Sequence, residues 1–124
     1  MNKILILNIL GKKDFVDLGD QIYDLRDITE SLRKIIILNL EIKDEFVTVT
    51  SNRLNNIYSI LKPIKSRLEK ADHAGNYTNS KKYLLRFINN LCINIDGVIN
   101  NINPINIKEL TRYSNMLIDL LLIY

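Results

Sequence analysis

The sequence predicts an all-α protein, a four-helix up-and-down antiparallel bundle, on three observations. Apolar residues recur at three- and four-residue steps in four separate runs, the period of one helix face. Capping and turn residues fall between the runs, where helices start and stop. The 124 residues are 47% apolar and 25% charged, ordinary for a globular protein and enough to bury a core without disulfide or metal staples. A single helical domain over 1–124 is therefore expected.

The first run is Leu18, Ile22, Leu25, Ile28, Leu32, Ile35, Ile42, Phe46 and Val49. A strand alternates and cannot hold this register over such a length, so a helix is expected from 15 to about 43. Gly19 weakens its first turn. One slot of the stripe is Asn39. An Asn buried in an apolar seam fixes register or oligomeric state at a cost in stability; the other reading is a helix boundary near residue 40.

The second run, Leu54, Ile57, Leu61, Ile64, Leu68 and Ala71, is out of phase with the first, because Val49 to Leu54 is a step of five. That break, followed by Ser51 or Asn52 as cap, places a new helix there, with residues 45–50 finishing the previous arm. Pro63 lies inside this run and is expected to kink it. Gly75 and "GNYTNS" read as a turn.

The third run is Leu84, Ile88, Leu91, Ile95, Val98 and Ile102, capped by Asn79 or Ser80 and weakened near its end by Gly97. Asn103 before Pro104 starts the fourth: a capping side chain, then proline at the first helical position. Its stripe is Ile107, Leu110, Leu117, Leu121 and Tyr124, interrupted by Ser114. The competing fold is α+β with a hairpin at 34–50, whose arms "KIIILNLEI" and "EFVTVT" are rich in β-branched residues, and "KILILNIL" as a third strand.

The charge pattern supplies the candidate functional residues. Asp17, Asp20, Asp24 and Asp27 are three, four and three apart and share one helix face, flanked by Asp14 and Glu30. Such a row serves as a solvated face near a helix N-terminus or as a docking face for a basic partner; metal ligands come more often from a loop or several elements. Lys62, Lys65, Arg67 and Lys70 are followed across a turn by Lys81, Lys82 and Arg86; against Glu69 and Asp72 this is a local charge of +5. In an up-and-down bundle that turn lies beside the start of the first helix, so the acids and the bases become neighbours, within one molecule or between two.

Other features limit the function. The net charge is only +3, which permits nucleic-acid binding without implying it. Cys92 is the one cysteine, which excludes an intramolecular disulfide and a cysteine-based zinc cage. His73, the one histidine, falls near a helix end, where its cation suits the carbonyl dipole. The sequon at Asn76 carries no weight in an Asn-rich chain without a leader. "MNKILILNIL" lacks a leader's cleavage site and "MLIDLLLIY" is too short for a membrane span, so a cytoplasmic protein is expected. No P-loop, dinucleotide fingerprint, HExxH or GxSxG occurs, so neither enzyme chemistry nor a cofactor or small-molecule substrate is expected.

"FVTVTSNRLNNIYSIL" resembles the end of the long stalk helix of CorA-type magnesium channels, where an S-N-R-L/T-N stretch precedes the first membrane span. Ser51, Asn52, Arg53, Leu54 and Asn55 carry the match. The chain departs from the family immediately afterwards: "KPIKSRLEKADHAG" stands in place of the span, and no Gly-Met-Asn filter occurs. The resemblance implies at most a soluble relic, with no ion-conducting residue to carry over.

The expectation is thus a non-enzymatic helical protein-interaction module that self-associates, of the kind found among viral, phage or plasmid accessory factors. Its partner is itself or another protein. The alternative is a nucleic-acid-binding regulator using the basic region 62–86.

Overall fold

The computed structural model describes residues 3–70 and 78–122. They are all-helical, and no strand occurs among them. The described residues form five helices instead of the expected four: α1 (Lys3–Leu10), α2 (Lys12–Ile37), α3 (Asp44–Lys70), α4 (Thr78–Asn100) and α5 (Pro104–Leu122). The hairpin at 34–50 is not formed; its first arm is helical through Ile37 and then enters a non-helical connection at 38–43, and its second arm lies within α3. Ala71, His73, Gly75, Asn76 and Tyr124 lie outside the described residues.

The extra helix is "KILILNIL". Gly11 separates it from α2 with a φ of 83°, a conformation that glycine adopts without the steric cost of a β-carbon. Its N–H donates to the Leu7 carbonyl at 2.8 Å, and its own carbonyl accepts from Phe15 N–H at 3.0 Å. One residue thus closes α1 and opens α2.

The boundary between the next two helices also differs from expectation. α2 ends at Ile37 and α3 begins at Asp44, so Ser51 lies inside α3 instead of capping it. The apparent step of five arose from taking Val49 as the stripe residue. Val49 is exposed and Thr50 is buried, and Phe46, Thr50 and Leu54 keep an unbroken four-residue step along one face. Asp44 and Glu45 in the first turn complement the positive end of the helix dipole. α3 continues through Pro63, which lacks the N–H that would bond to the Ser59 carbonyl.

The start of α5 follows the sequence expectation. Asn103 Oδ1 accepts from Asn106 N–H at 2.9 Å, and Pro104 is the first helical residue. Asn106 adds a clamp: its Nδ2 donates to the carbonyls of Asn101, at 2.9 Å, and Gly97, at 3.2 Å. The Gly97 carbonyl also accepts from Asn101 N–H at 3.0 Å, whereas Asn101 lies just past the end of α4, where carbonyls have no intrahelical partner.

α2 packs against α3 and α5, and α4 packs against the same two helices; α1 lies on α2 and touches α5. α2 and α3 run antiparallel, since Asp14 early in α2 meets Arg67 late in α3 while Asp24 and Asp27 meet Arg53. α4 and α5 also run antiparallel: Asn90 Nδ2 donates to the Tyr113 hydroxyl at 3.2 Å, beyond the Gly97–Asn106 contact.

One core lies between them. It holds Leu18, Ile22, Leu25, Ile28 and Leu32 of α2, Leu54, Ile57, Leu61, Ile64 and Leu68 of α3, and the stripes of α4 and α5, with Ile6 added by α1. Ser114 occupies a buried slot between Leu110 and Leu117.

Candidate functional site

The acidic row lies on α2 but is not free to act as a unit. Arg53 on α3 reaches Asp27 at 2.9 Å and Asp24 at 3.6 Å. Asp17 pairs with Lys13 one turn earlier on its own helix at 3.3 Å. Asp20 is exposed and makes no ion pair among the described residues. Half of the row is thus satisfied by the neighbouring helix, and no cluster of three metal-ligating side chains exists among the described residues.

The basic region meets the acids at one point, through a residue flanking the row. Arg67 forms a two-pronged pair with Asp14, Nε donating to Oδ2 at 2.9 Å and Nη2 to Oδ1. The Asp14 side chain is only 10% exposed and that of Arg67 is 53% exposed. The hydrogen bond to Asp14 holds the Arg67 guanidinium above its ordinary pKa against a smaller opposing effect of desolvation. Lys65 pairs with Glu69 at 3.8 Å, and Lys81 is half-buried with a polar partner of its own. Lys62, Lys70, Lys82 and Arg86 are exposed and make no ion pair among the described residues. The bases and acids therefore meet through two α2–α3 clasps, Asp14–Arg67 and Arg53 with Asp24 and Asp27. Asp14 and Arg53 are the clasp residues that spacing along one helix did not single out.

Asn39 is not a seam residue. It is exposed, lies beyond the end of α2, and has a φ of 50°. Its N–H donates to the Ile36 carbonyl at 3.2 Å, and Leu40 N–H donates to the Ile35 carbonyl at 2.9 Å. This pair of bonds is a Schellman stop with Asn in the left-handed position usually held by glycine. The three-four register carries the chain through residue 39 only if the helix continues, and it ends at Ile37.

The "SNRLN" stretch sits within α3, where Arg53 supplies the clasp and Leu54 enters the core. Cys92 is buried; loss of solvent raises its thiol above the ordinary range, with the charge of Lys65 pulling the other way. That environment disfavours the thiolate that a nucleophile requires.

A run of exposed apolar residues lies where the sequence predicts none. Ile36, Ile37, Leu38, Leu40 and Ile42 are all exposed within seven residues around the end of α2, Ile37 by 70% and Leu38 by 63%. Ile36 and Ile37 also line an open groove of about 540 Å³ with Arg33, Pro104, Ile107 and Lys108. The groove joins the end of α2 to the start of α5, where Ile105 is 75% exposed. Of these five residues only Ile42 belongs to the stripe that the spacing predicts; Ile36, Ile37, Leu38 and Leu40 fall between its positions, and the stripe itself breaks because the helix stops at Ile37.

Among the described residues, no helix is long and apolar enough to cross a membrane. No family model matches the chain, and neither do any curated proteins or solved structures.

Proposed function

We propose that the chain is a non-enzymatic helical protein-interaction module that self-associates, acting in the cytoplasm. In this reading the four long helices serve as an up-and-down antiparallel bundle, with α1 appended to α2. The observation that carries it is the run of five exposed Ile and Leu side chains at 36–42. Contiguous apolar patches larger than a few hundred Å² are rare on monomeric soluble proteins and mark contact surfaces, and none of the described residues covers this one. The buried acid and cysteine offer no competing chemistry: Asp14 is engaged by Arg67, and Cys92 lies in the core. The test is sedimentation equilibrium of the purified chain. A dimer or larger species at micromolar concentration is expected; a monomer throughout that range rejects self-association.

A second reading, a nucleic-acid-binding regulator, is favoured by Lys62, Lys70, Lys82 and Arg86, four exposed cations that make no ion pair among the described residues. Its mark is binding that weakens steeply with salt. Absence of binding to DNA or RNA at low salt rejects it.

A further inference from the structure

The segment 33–45 has an order that suits pairing with itself. Arg33 and Lys34 precede the apolar run; Glu41, Asp44 and Glu45 follow or close it, with Lys43 the one cation among them. All six of these charged residues are exposed, and none makes an ion pair among the described residues. The run between them turns sharply at Asn39, so its side chains stand at the end of the helix pair formed by α2 and α3.

We propose that two copies of this chain dock through this end by a two-fold axis passing near Leu38. The proposal rests on the self-association reading and names its surface and geometry. A two-fold contact sets the same patch against itself, so residue i of one copy meets residue j of the other and the reverse. The basic flank of each copy then faces the acidic flank of the other, while the Ile and Leu side chains meet in the middle. A head-to-tail contact gives this patch a different surface as partner and leaves both charged flanks unmatched.

The area agrees with this arrangement. With Ile105 added, six large apolar side chains at these exposures present on the order of 500 Å² on each copy. A stable dimer buries roughly 800 Å² per partner, and the charged flanks and the lips of the Arg33–Lys108 groove supply the remainder. The composition is that of such a contact, apolar at the centre with a polar rim.

The experiment uses the full chain and reads the dimer dissociation constant by sedimentation, with helicity and melting temperature followed to verify folding. Ile37→Lys and Leu38→Lys are exposed changes expected to weaken the dimer by about a hundredfold. Arg33→Glu/Lys34→Glu weakens it by about tenfold, and so does Glu41→Lys/Glu45→Lys, because like charges then face each other. An equimolar mixture of the two charge-reversed chains recovers affinity within a factor of about three, as each flank again meets its opposite. Three results overturn the proposal, each at a different level. A native chain monomeric to about 100 μM removes self-association itself and assigns the face to another occupant. A dimer indifferent to Ile37→Lys and Leu38→Lys keeps self-association and moves it to another surface. A dimer broken by those changes but not rescued in the mixture keeps the surface and rejects the two-fold orientation.

Discussion

Arg67 and Asp14 lie 53 positions apart in the chain and are joined by two hydrogen bonds across α2 and α3. The carboxylate is nearly buried and the guanidinium reaches it from solvent. Removing the arginine leaves a buried carboxylate without its cation, which costs more than losing a surface pair. Arg67→Ala is therefore expected to lower the melting temperature more than Arg53→Ala does, because Asp24 and Asp27 remain solvated when released. Asp14→Asn with Arg67→Ala is expected to cost less than the two single changes added together, since neither leaves the other stranded. Additive losses in thermal unfolding count against the pair as a clasp.

Asn39 sets a second expectation. Its φ of 50° costs a residue with a β-carbon about 1–2 kcal/mol, least for Asn. Asn39→Gly relieves that cost and is expected to stabilise the protein by about 0.5–1 kcal/mol. Asn39→Ile is expected to destabilise it by about 1–2 kcal/mol, since a β-branched side chain tolerates the left-handed region worst. Had Asn39 been a seam residue, isoleucine would stabilise. Urea unfolding of the two variants distinguishes the cases by the sign of the change.

The core was legible because leucine and isoleucine repeat at helical spacing wherever a helix faces another. Nearly every stripe residue from Leu18 to Leu32 and from Leu54 to Leu68 is buried as its position requires. The reading failed where residue type and position disagree. Thr50 is polar by type yet buried, so the apolar pattern points to Val49 in its place and puts the helix start at Ser51 instead of Asp44. Partners on different helices were hidden for the same reason. With the turn at 38–43, antiparallel pairing brings Asp14 opposite Arg67 and Asp27 opposite Arg53; the spacing alone sets acids and bases at one end of the bundle without naming these pairs. The apolar face at 36–42 escapes the stripe reading because four of its five residues lie off the stripe, and periodicity alone does not show where a helix stops.

Two glycines give opposite expectations for the same substitution. Gly19 lies inside α2, and a β-carbon there meets no neighbouring atom within 4 Å. Gly19→Ala removes backbone freedom from the unfolded chain without a clash and is expected to add about 0.5–1 kcal/mol. At Gly11 the space is equally open, but φ is 83°. Gly11→Ala is expected to cost about 1–2 kcal/mol through backbone strain alone. Matching signs in chemical denaturation remove the argument that φ, and not space, distinguishes the two sites.

Cys92 carries an expectation for pH. Burial raises its thiol above its ordinary value of 9.0, a shift that Lys65 opposes but does not cancel. The folded chain holds this proton more tightly than the unfolded chain does. Well below pH 9 both states are protonated and the thiol contributes no pH dependence. Above it the unfolded thiol ionises first, so stability falls as pH rises until the folded thiol also ionises, by at most about 1.4 kcal/mol per pH unit. Other groups titrate in that range, so the measurement is a difference between the native chain and Cys92→Ala. The variant is expected to be less stable at pH 7, because it leaves a small void beside Leu91 and Ile95 in the packed core. Between pH 9 and 10 its stability is expected to fall less steeply than that of the native chain. Parallel alkaline slopes in urea unfolding contradict a buried, neutral thiol, as does rapid reaction of Cys92 with a thiol reagent at pH 7 in the folded state.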